Sequence, residues 1–229
     1  AGGPGAGNAL LLRWRNAMEE ANVAPLTINR RLTAIRSLVK LGRTLGVVTW
    51  AFDVQGVKGA VPIRDTRGPE LVDVRRLLST RHGLMEDAIL PLMFTRGLRS
   101  IEVRELRLEH CLTLKDRSTV MIRGKGRKGL TAITLAPSSV AALLTWLKVR
   151  GDEPGYVFTR EGDEPGAQLN HPYLWRLVKR CGAKVGIKLW PHALRHSAIT
   201  TALDAAHGDV RRVQKFSRHA DVKNVLKYD

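Results

Sequence analysis

Pro191-His192-Ala193-Leu194-Arg195-His196 is the stretch on which the reading of this chain turns. Proline is well accepted in the first turn of a helix. Spacings of three and four then place His192, Arg195 and His196 on one helix face. Two imidazoles beside a guanidinium suit an anion, because the planar guanidinium can donate two parallel hydrogen bonds to a phosphate. Histidines four apart also occur as helical zinc pairs, but that pattern needs a glutamate where Ala193 stands. No metal is therefore expected.

The composition of the whole chain points the same way. Of its 229 residues, 38 are Lys or Arg and 21 are Asp or Glu, a net charge of +17. Such an excess favours a polyanionic partner through release of condensed counterions. Ribosomal and membrane-surface proteins can be equally basic, so charge alone says nothing of catalysis. No apolar run reaches the roughly 18 residues of a membrane span. The Gly/Ala/Pro-rich Ala1–Gly7 reads as a flexible tail or cut edge, not a signal peptide. Two cysteines, Cys111 and Cys181, form no CxxC pair, which fits a reducing cytoplasm.

Around this centre the pattern is mainly helical. Apolar periodicity predicts helices over Leu10–Ala21, Ile28–Gly46 (capped by Thr27), Glu70–Leu78, Leu84–Thr95, Leu98–Leu106, Pro137–Arg150, His171–Lys184, His192–Ala205, Val210–Phe216 and Val222–Tyr228. Leu112–Leu114, Thr119–Ile122 and Thr131–Leu135 are β-rich and predict a small three-stranded antiparallel sheet. Gly56, Gly59, Pro62 and Gly68 mark residues 53–68 as a linker. It separates a helical domain of residues 1–52 from a larger domain of residues 69–229. On the helix after Thr27, the basic residues Arg30, Arg31, Arg36 and Lys40 have no acidic residue among them and are candidate DNA contacts.

Cutting a phosphodiester without metal needs a nucleophile, cationic donors for the charge growing on the phosphate oxygens, and an acid for the leaving oxygen. Besides the opening stretch, three segments carry such groups. Gly97-Leu98-Arg99-Ser100-Ile101-Glu102 puts Arg99 in the first turn of a helix. Gly124-Lys125-Gly126-Arg127-Lys128 is a basic loop between two strands. His219 is followed nine positions later by Tyr228.

Taken in order, these four segments resemble the signature of the tyrosine site-specific recombinases of the phage-integrase family, over roughly Pro69–Asp229. Thr27-Ile28-Asn29-Arg30-Arg31-Leu32 resembles that family's core-binding domain. The resemblance implies that Arg99 and Arg195 hold the scissile phosphate and that Lys125 protonates the departing 5′-oxygen. It implies that His192 assists as acid, base or donor, that His219 bonds the phosphate, and that Tyr228 attacks to give a 3′-phosphotyrosine. A tyrosine hydroxyl titrates near pH 10, so neighbouring positive charge is expected to help deprotonate it. Glu102 and His196 are expected to orient Arg99 and the helix. Lys128 competes with Lys125 for the acid role, and Arg127 and Lys128 are otherwise phosphate contacts.

The implied protein is a two-domain DNA clamp from a bacterium, phage or mobile element, resident in the cytoplasm with the nucleoid. It needs no cofactor, works as a homo-tetramer when two sites are paired and as a monomer or dimer off DNA, and exchanges strands through a Holliday junction, with accessory proteins in some settings. A type IB topoisomerase-like nicking-closing enzyme, a catalytically silent DNA-binding protein on the same scaffold and a basic RNA binder are the competing readings. Tyr156 is expected in the core and Tyr173 in packing or at the surface; the five tryptophans are expected to pack, with Trp190 buttressing the site. The sequence also departs from the family's pattern at Ser217-Arg218, where Leu-Gly is common. A glycine there would ease a positive-φ turn.

Overall fold

A computed structural model describes residues 4–58, 67–124 and 129–228. The chain divides into two compact units, Ala1–Arg64 and Asp65–Asp229.

In the first unit, α1 (Pro4–Glu20) packs against α2 (Pro25–Thr44). Both start earlier than the sequence pattern suggests. Pro4 begins α1 inside the stretch read as a tail, and Pro25 takes the first helical position of α2, which puts Thr27 within the helix. Met18, Ile28, Leu32 and Val54 form the small buried core. Asn29 clamps the chain beyond α2: its Nδ2 donates to Val57 O at 3.0 Å and its Oδ1 accepts from Val57 N at 2.8 Å. The start of the expected linker is thus part of this unit's packing.

The second unit is built on α4 (Leu84–Thr95). Met85, Ala88, Ile89, Leu90, Leu92 and Met93 are all buried, so the helix is apolar around most of its circumference and must lie in a core. Around it stand α3 (Leu71–Ser79), α7 (Pro137–Arg150), α8 (His171–Lys184) and α9 (Pro191–Ala205). The ends of α7 and α8 fall where the sequence places them. Proline opens the first turn of each, and Asn170 Oδ1 caps α8 by accepting from Tyr173 N at 2.8 Å. Gly68 and Pro69 lie against α9: a Cβ on Gly68 would stand 2.1 Å from Ala193 O.

Among the described residues the sheet has two strands, not three: β1 (Thr119–Arg123) pairs antiparallel with β2 (Leu130–Thr134), with Met121 opposite Ala132. Leu112 and Leu114 would share a strand face, yet Leu112 is 79% exposed and Leu114 is buried. The chain instead turns and forms α6 (Leu114–Arg117), closed by Ser118 at φ 50°. Thr113 O accepts from Arg117 N, and Thr113 Oγ1 donates to Thr119 O at 3.0 Å. The remaining helical segments depart from the expected ones. α5 spans Ser100–Arg104 and is shorter, α10 spans Val210–Ser217 and is one residue longer, and Val222–Asn224 and Leu226–Tyr228 are single 3-10 turns rather than one helix. No helix among the described residues is long and apolar enough to cross a membrane.

Candidate active site

Arg195 is the most deeply set of the predicted catalytic residues. It follows Ala193 and Leu194 into the core on α9 and is 2% exposed. A guanidinium buried without partners would cost several kcal/mol. Here its Nη1 donates to Gly97 O, and its Nη2 donates to Ser217 O at 2.6 Å and to His219 Nε2 at 3.4 Å. Gly97 can present its carbonyl because it sits at φ 53°. Burial first, then the charge of Arg99, brings the Arg195 pKa down to about 10, so it stays cationic at neutral pH.

Arg99 lies just before α5, in extended backbone, not in the helix's first turn. Its N–H donates to Glu102 Oε2 at 2.8 Å, closing the helix start, and its Nη1 donates to Glu102 Oε1 at 2.8 Å. Glu102 is 1% exposed and also accepts at Oε2 from Arg218 Nη2 at 2.9 Å. Burial alone would raise this carboxyl, but Arg218 and then Arg99 outweigh it and hold it below the ordinary carboxylate range. The Arg99 guanidinium keeps one face open to the cleft, with Nη2 donating to Arg218 O at 3.3 Å.

His219 follows the end of α10. Because an arginine only donates, His219 Nε2 accepts from Arg195, and the neutral ring carries its proton on Nδ1, 2.9 Å from Ser217 Oγ. Burial, then Arg195 and Arg99, push its pKa down to about 4. His192 stands exposed at the start of α9; partial desolvation of the cleft it lines, with the charges of Arg195 and Arg99, lowers its pKa as well. Tyr228 is half-buried on the last 3-10 turn, with its ring centroid 4.2 Å from that of His196 and 5.9 Å from that of His219. Arg195 and Arg99 draw its pKa downward as expected, but burial is the larger effect and the net shift is upward.

Arg99, His192, Arg195 and His219 therefore line one open cleft of about 500 Å³ with Ser100 and Arg104. His196 and Tyr228 line a neighbouring hollow of about 450 Å³ on the other side of α9, beside Thr200 and Asp204. His219 joins the two, touching Arg195 on one side and facing the Tyr228 ring on the other. A cleft with two guanidiniums and two neutral imidazoles can bind a phosphodiester and stabilise added negative charge on it.

Lys125, Arg127 and Lys128 lie outside the described residues. In the first unit, Arg30, Arg31, Arg36 and Lys40 are all exposed on α2. Two of them also hold their own unit together: Arg31 Nη1 reaches Met18 Sδ at 3.4 Å, and Arg36 Nη2 donates to Val54 O at 3.2 Å while stacking over Phe52. Tyr156 is half-buried under Arg107, and Tyr173 is half-buried under Arg160. Trp190 precedes α9 and packs on the main core, whereas Trp175 is exposed.

The sequence reading missed the partners of these groups. Ser217 and Gln214 hold His219 at its ring and at its carbonyl, and Arg218 ties the loop at Arg96–Gly97 to Glu102. The departure from Leu-Gly was the visible signal for Arg218.

Residues 70–229 match the family model described as phage integrase family. A tyrosine recombinase of Synechococcus elongatus is 38% identical over 235 residues, covering 96% of this chain and 72% of that protein. A tyrosine recombinase of Synechocystis sp. is 34% identical over 232 residues, covering 96% and 73%. In fold, the chain is similar to a crystal structure of the XerH site-specific recombinase bound to a palindromic difH substrate, with a TM-score of 0.75 and 19% identity over 96% of this chain and 68% of that one. With its helical architecture, its two-stranded sheet and these relatives, the chain belongs to the phage integrase family of tyrosine recombinases, enzymes of site-specific DNA recombination.

Proposed function

We propose that this chain cleaves and rejoins DNA strands through a covalent 3′-phosphotyrosine at Tyr228. The observation that carries the reading is the convergence of Arg99, His192, Arg195 and His219 on one cleft, with Tyr228 against the far face of His219. Arg99 and Arg195 bind the non-bridging oxygens and stabilise the pentavalent transition state. The Tyr228 hydroxyl passes its proton to solvent and attacks phosphorus, the bond from phosphorus to O5′ breaks, and Lys125 delivers a proton to O5′. His192 donates to the phosphate, His219 does so once Arg195 turns to the phosphate and the ring proton stands on Nε2, and Glu102 and His196 orient Arg99 and Tyr228. The net upward shift of Tyr228, caused by burial, keeps its hydroxyl protonated in the free protein.

The phosphodiester energy is kept in the tyrosyl ester. A second strand's 5′-hydroxyl can then reseal it without a high-energy cofactor, and no metal is used in any step. Two sites held in a tetramer would exchange strands through a Holliday junction, in the service of a mobile element. Residues 1–52 add phosphate contacts through Arg30, Arg31, Arg36 and Lys40, and residues 69–229 carry the chemistry.

The test is a pool of nicked duplexes of randomised sequence, incubated with the protein in a chelator. The expected result is a protein–DNA adduct that survives denaturation, enriches particular sequences and disappears in Tyr228→Phe. An adduct that persists in Tyr228→Phe overturns the assignment of the nucleophile, and failure to trap any duplex overturns the catalytic reading. With an enriched sequence in hand, a product that requires two sites indicates recombination. Relaxation of a supercoiled plasmid bearing a single site indicates a nicking-closing enzyme.

A further inference from the structure

We propose that Arg218 is a positioning residue for Arg99, acting through the Glu102 carboxylate that the two arginines share; this rests on the reading of Arg99 as a phosphate-binding group. Arg218 stands where glycine would be the easy choice. Its backbone is left-handed, with φ 56° and ψ 37°, at the end of α10. That turn aims its carbonyl at Arg99 Nη2, 3.3 Å away.

The side chain then runs back under the Gly97 loop. Nη1 donates to Arg96 O at 3.0 Å and Phe216 O at 2.9 Å, and Nη2 donates to Gly97 O at 3.2 Å and Glu102 Oε2 at 2.9 Å. Arg218 is 11% exposed and the Glu102 side chain 0%. The contact is therefore shielded from bulk water.

The carboxylate is divided between the two guanidiniums. Oε1 faces Arg99 Nη1, while Oε2 takes the Arg99 N–H and Arg218 Nη2. Removing the Arg218 side chain would leave Oε2 with the backbone N–H alone, free the carboxylate to rotate, and loosen the Arg99 fork at Nη1, while the residue 218 carbonyl stays with Nη2. Three arginines already crowd Gly97. A fourth is tolerable because Glu102 compensates it, and its guanidinium points away from the phosphate cleft, which it does not line.

Two variants test this. In Arg218→Gly the backbone conformation is favourable for glycine, so the turn survives and only the guanidinium and its bonds are lost. The duplex enriched by the wild-type protein is the probe, and both adduct formation and equilibrium binding are measured. Arg218→Gly is expected to slow adduct formation about 10- to 100-fold, as a misplaced catalytic group does, with duplex affinity little changed. In a Glu102→Gln background the same substitution should cost little more, because both act on one contact. Arg218→Lys, which can still reach Glu102, should recover part of the rate.

Costs of Arg218→Gly and Glu102→Gln that simply multiply would overturn the proposal and leave Arg218 as a loop tie. So would a wild-type rate in Arg218→Gly, or no recovery in a folded Arg218→Lys. A wild-type protein that forms no adduct overturns the underlying reading instead, and the proposal with it.

Discussion

Arg195 enters the cleft from inside α9, 2% exposed and held by the carbonyls of Gly97 and Ser217, whereas Arg99 enters from the edge of α5, held by the ionised Glu102. Carbonyl acceptors fix a guanidinium without cancelling its charge, and they do not titrate. A carboxylate fixes it and also compensates it, and its grip depends on its own ionisation. Arg195 thus lends its positive charge to the cleft from carbonyls that do not titrate, with the His219 ring as a titrating neighbour. Arg99 is tuned by a group that can be neutralised and that is divided with Arg218.

The largest effect should separate the two arms. Arg195→Ala is expected to slow adduct formation by about 10²–10³ or more, as loss of a transition-state donor does. It should also lower stability, because the Ser217 carbonyl loses its buried donor, at about 1–3 kcal/mol for a group left unsatisfied, while Gly97 O keeps Arg218. Arg99→Ala should slow adduct formation comparably while costing less stability, since Glu102 keeps Arg218. Adduct rates and denaturant melts on both proteins check this, and equal stability losses would break the contrast.

Acid titration sharpens it. The Glu102 pKa is lowered in the folded protein, so its contribution to stability is present above its ordinary value of 4.5 and is lost as pH falls through the folded value. His219 titrates near pH 4 in the fold instead of 6.5. The unfolded chain therefore takes up a proton at this residue that the folded one refuses, and stability should fall as pH drops from 6.5 to about 4. The slope per such group is at most about 1.4 kcal/mol per pH unit. His219→Asn should flatten that stretch of a urea-melt series and leave the limb below pH 4.5 in place.

A smaller effect should touch both arms together. Gly97 O accepts from Arg195 and from Arg218, and Gly97 holds φ 53°. Gly97→Ala is expected to cost roughly 1–2 kcal/mol for the left-handed backbone, with its new methyl 3.3 Å from Phe216 Cε1. Thermal unfolding checks the value, and a loss of adduct rate in the same variant would show both arginines shifting at once.

How much of this was legible in the sequence follows from where each determinant lies. The limits of α7 and α8 are written locally, in Pro137, Pro172 and Asn170, and α4 announces itself by a long apolar run. Leu112–Leu114 misled because a short apolar stretch is ambiguous until something covers it. Only Leu114 finds a core, and Leu112 is left in solvent. The arginine–histidine cleft was legible because its residues recur at fixed local spacings. Their supports were not: Arg218 meets Glu102 across 116 positions and Arg96 across 122. Nothing local in Ser217-Arg218 says that the side chain will fold back under Gly97. The pKa of Tyr228 was misjudged in its balance because burial, which outweighs the two arginines, cannot be read from spacing.

The left-handed turn at position 218 has a consequence in the language of descent. Arginine and glycine codons differ by a single base, and a backbone at φ 56° accepts glycine at no steric cost and arginine at roughly 1–2 kcal/mol. A lineage can therefore step between a bare turn and a buttressed one without passing through a misfolded intermediate. The step adds or removes a brace behind the Arg99–Arg195 cleft while the residues that line it stay as they were.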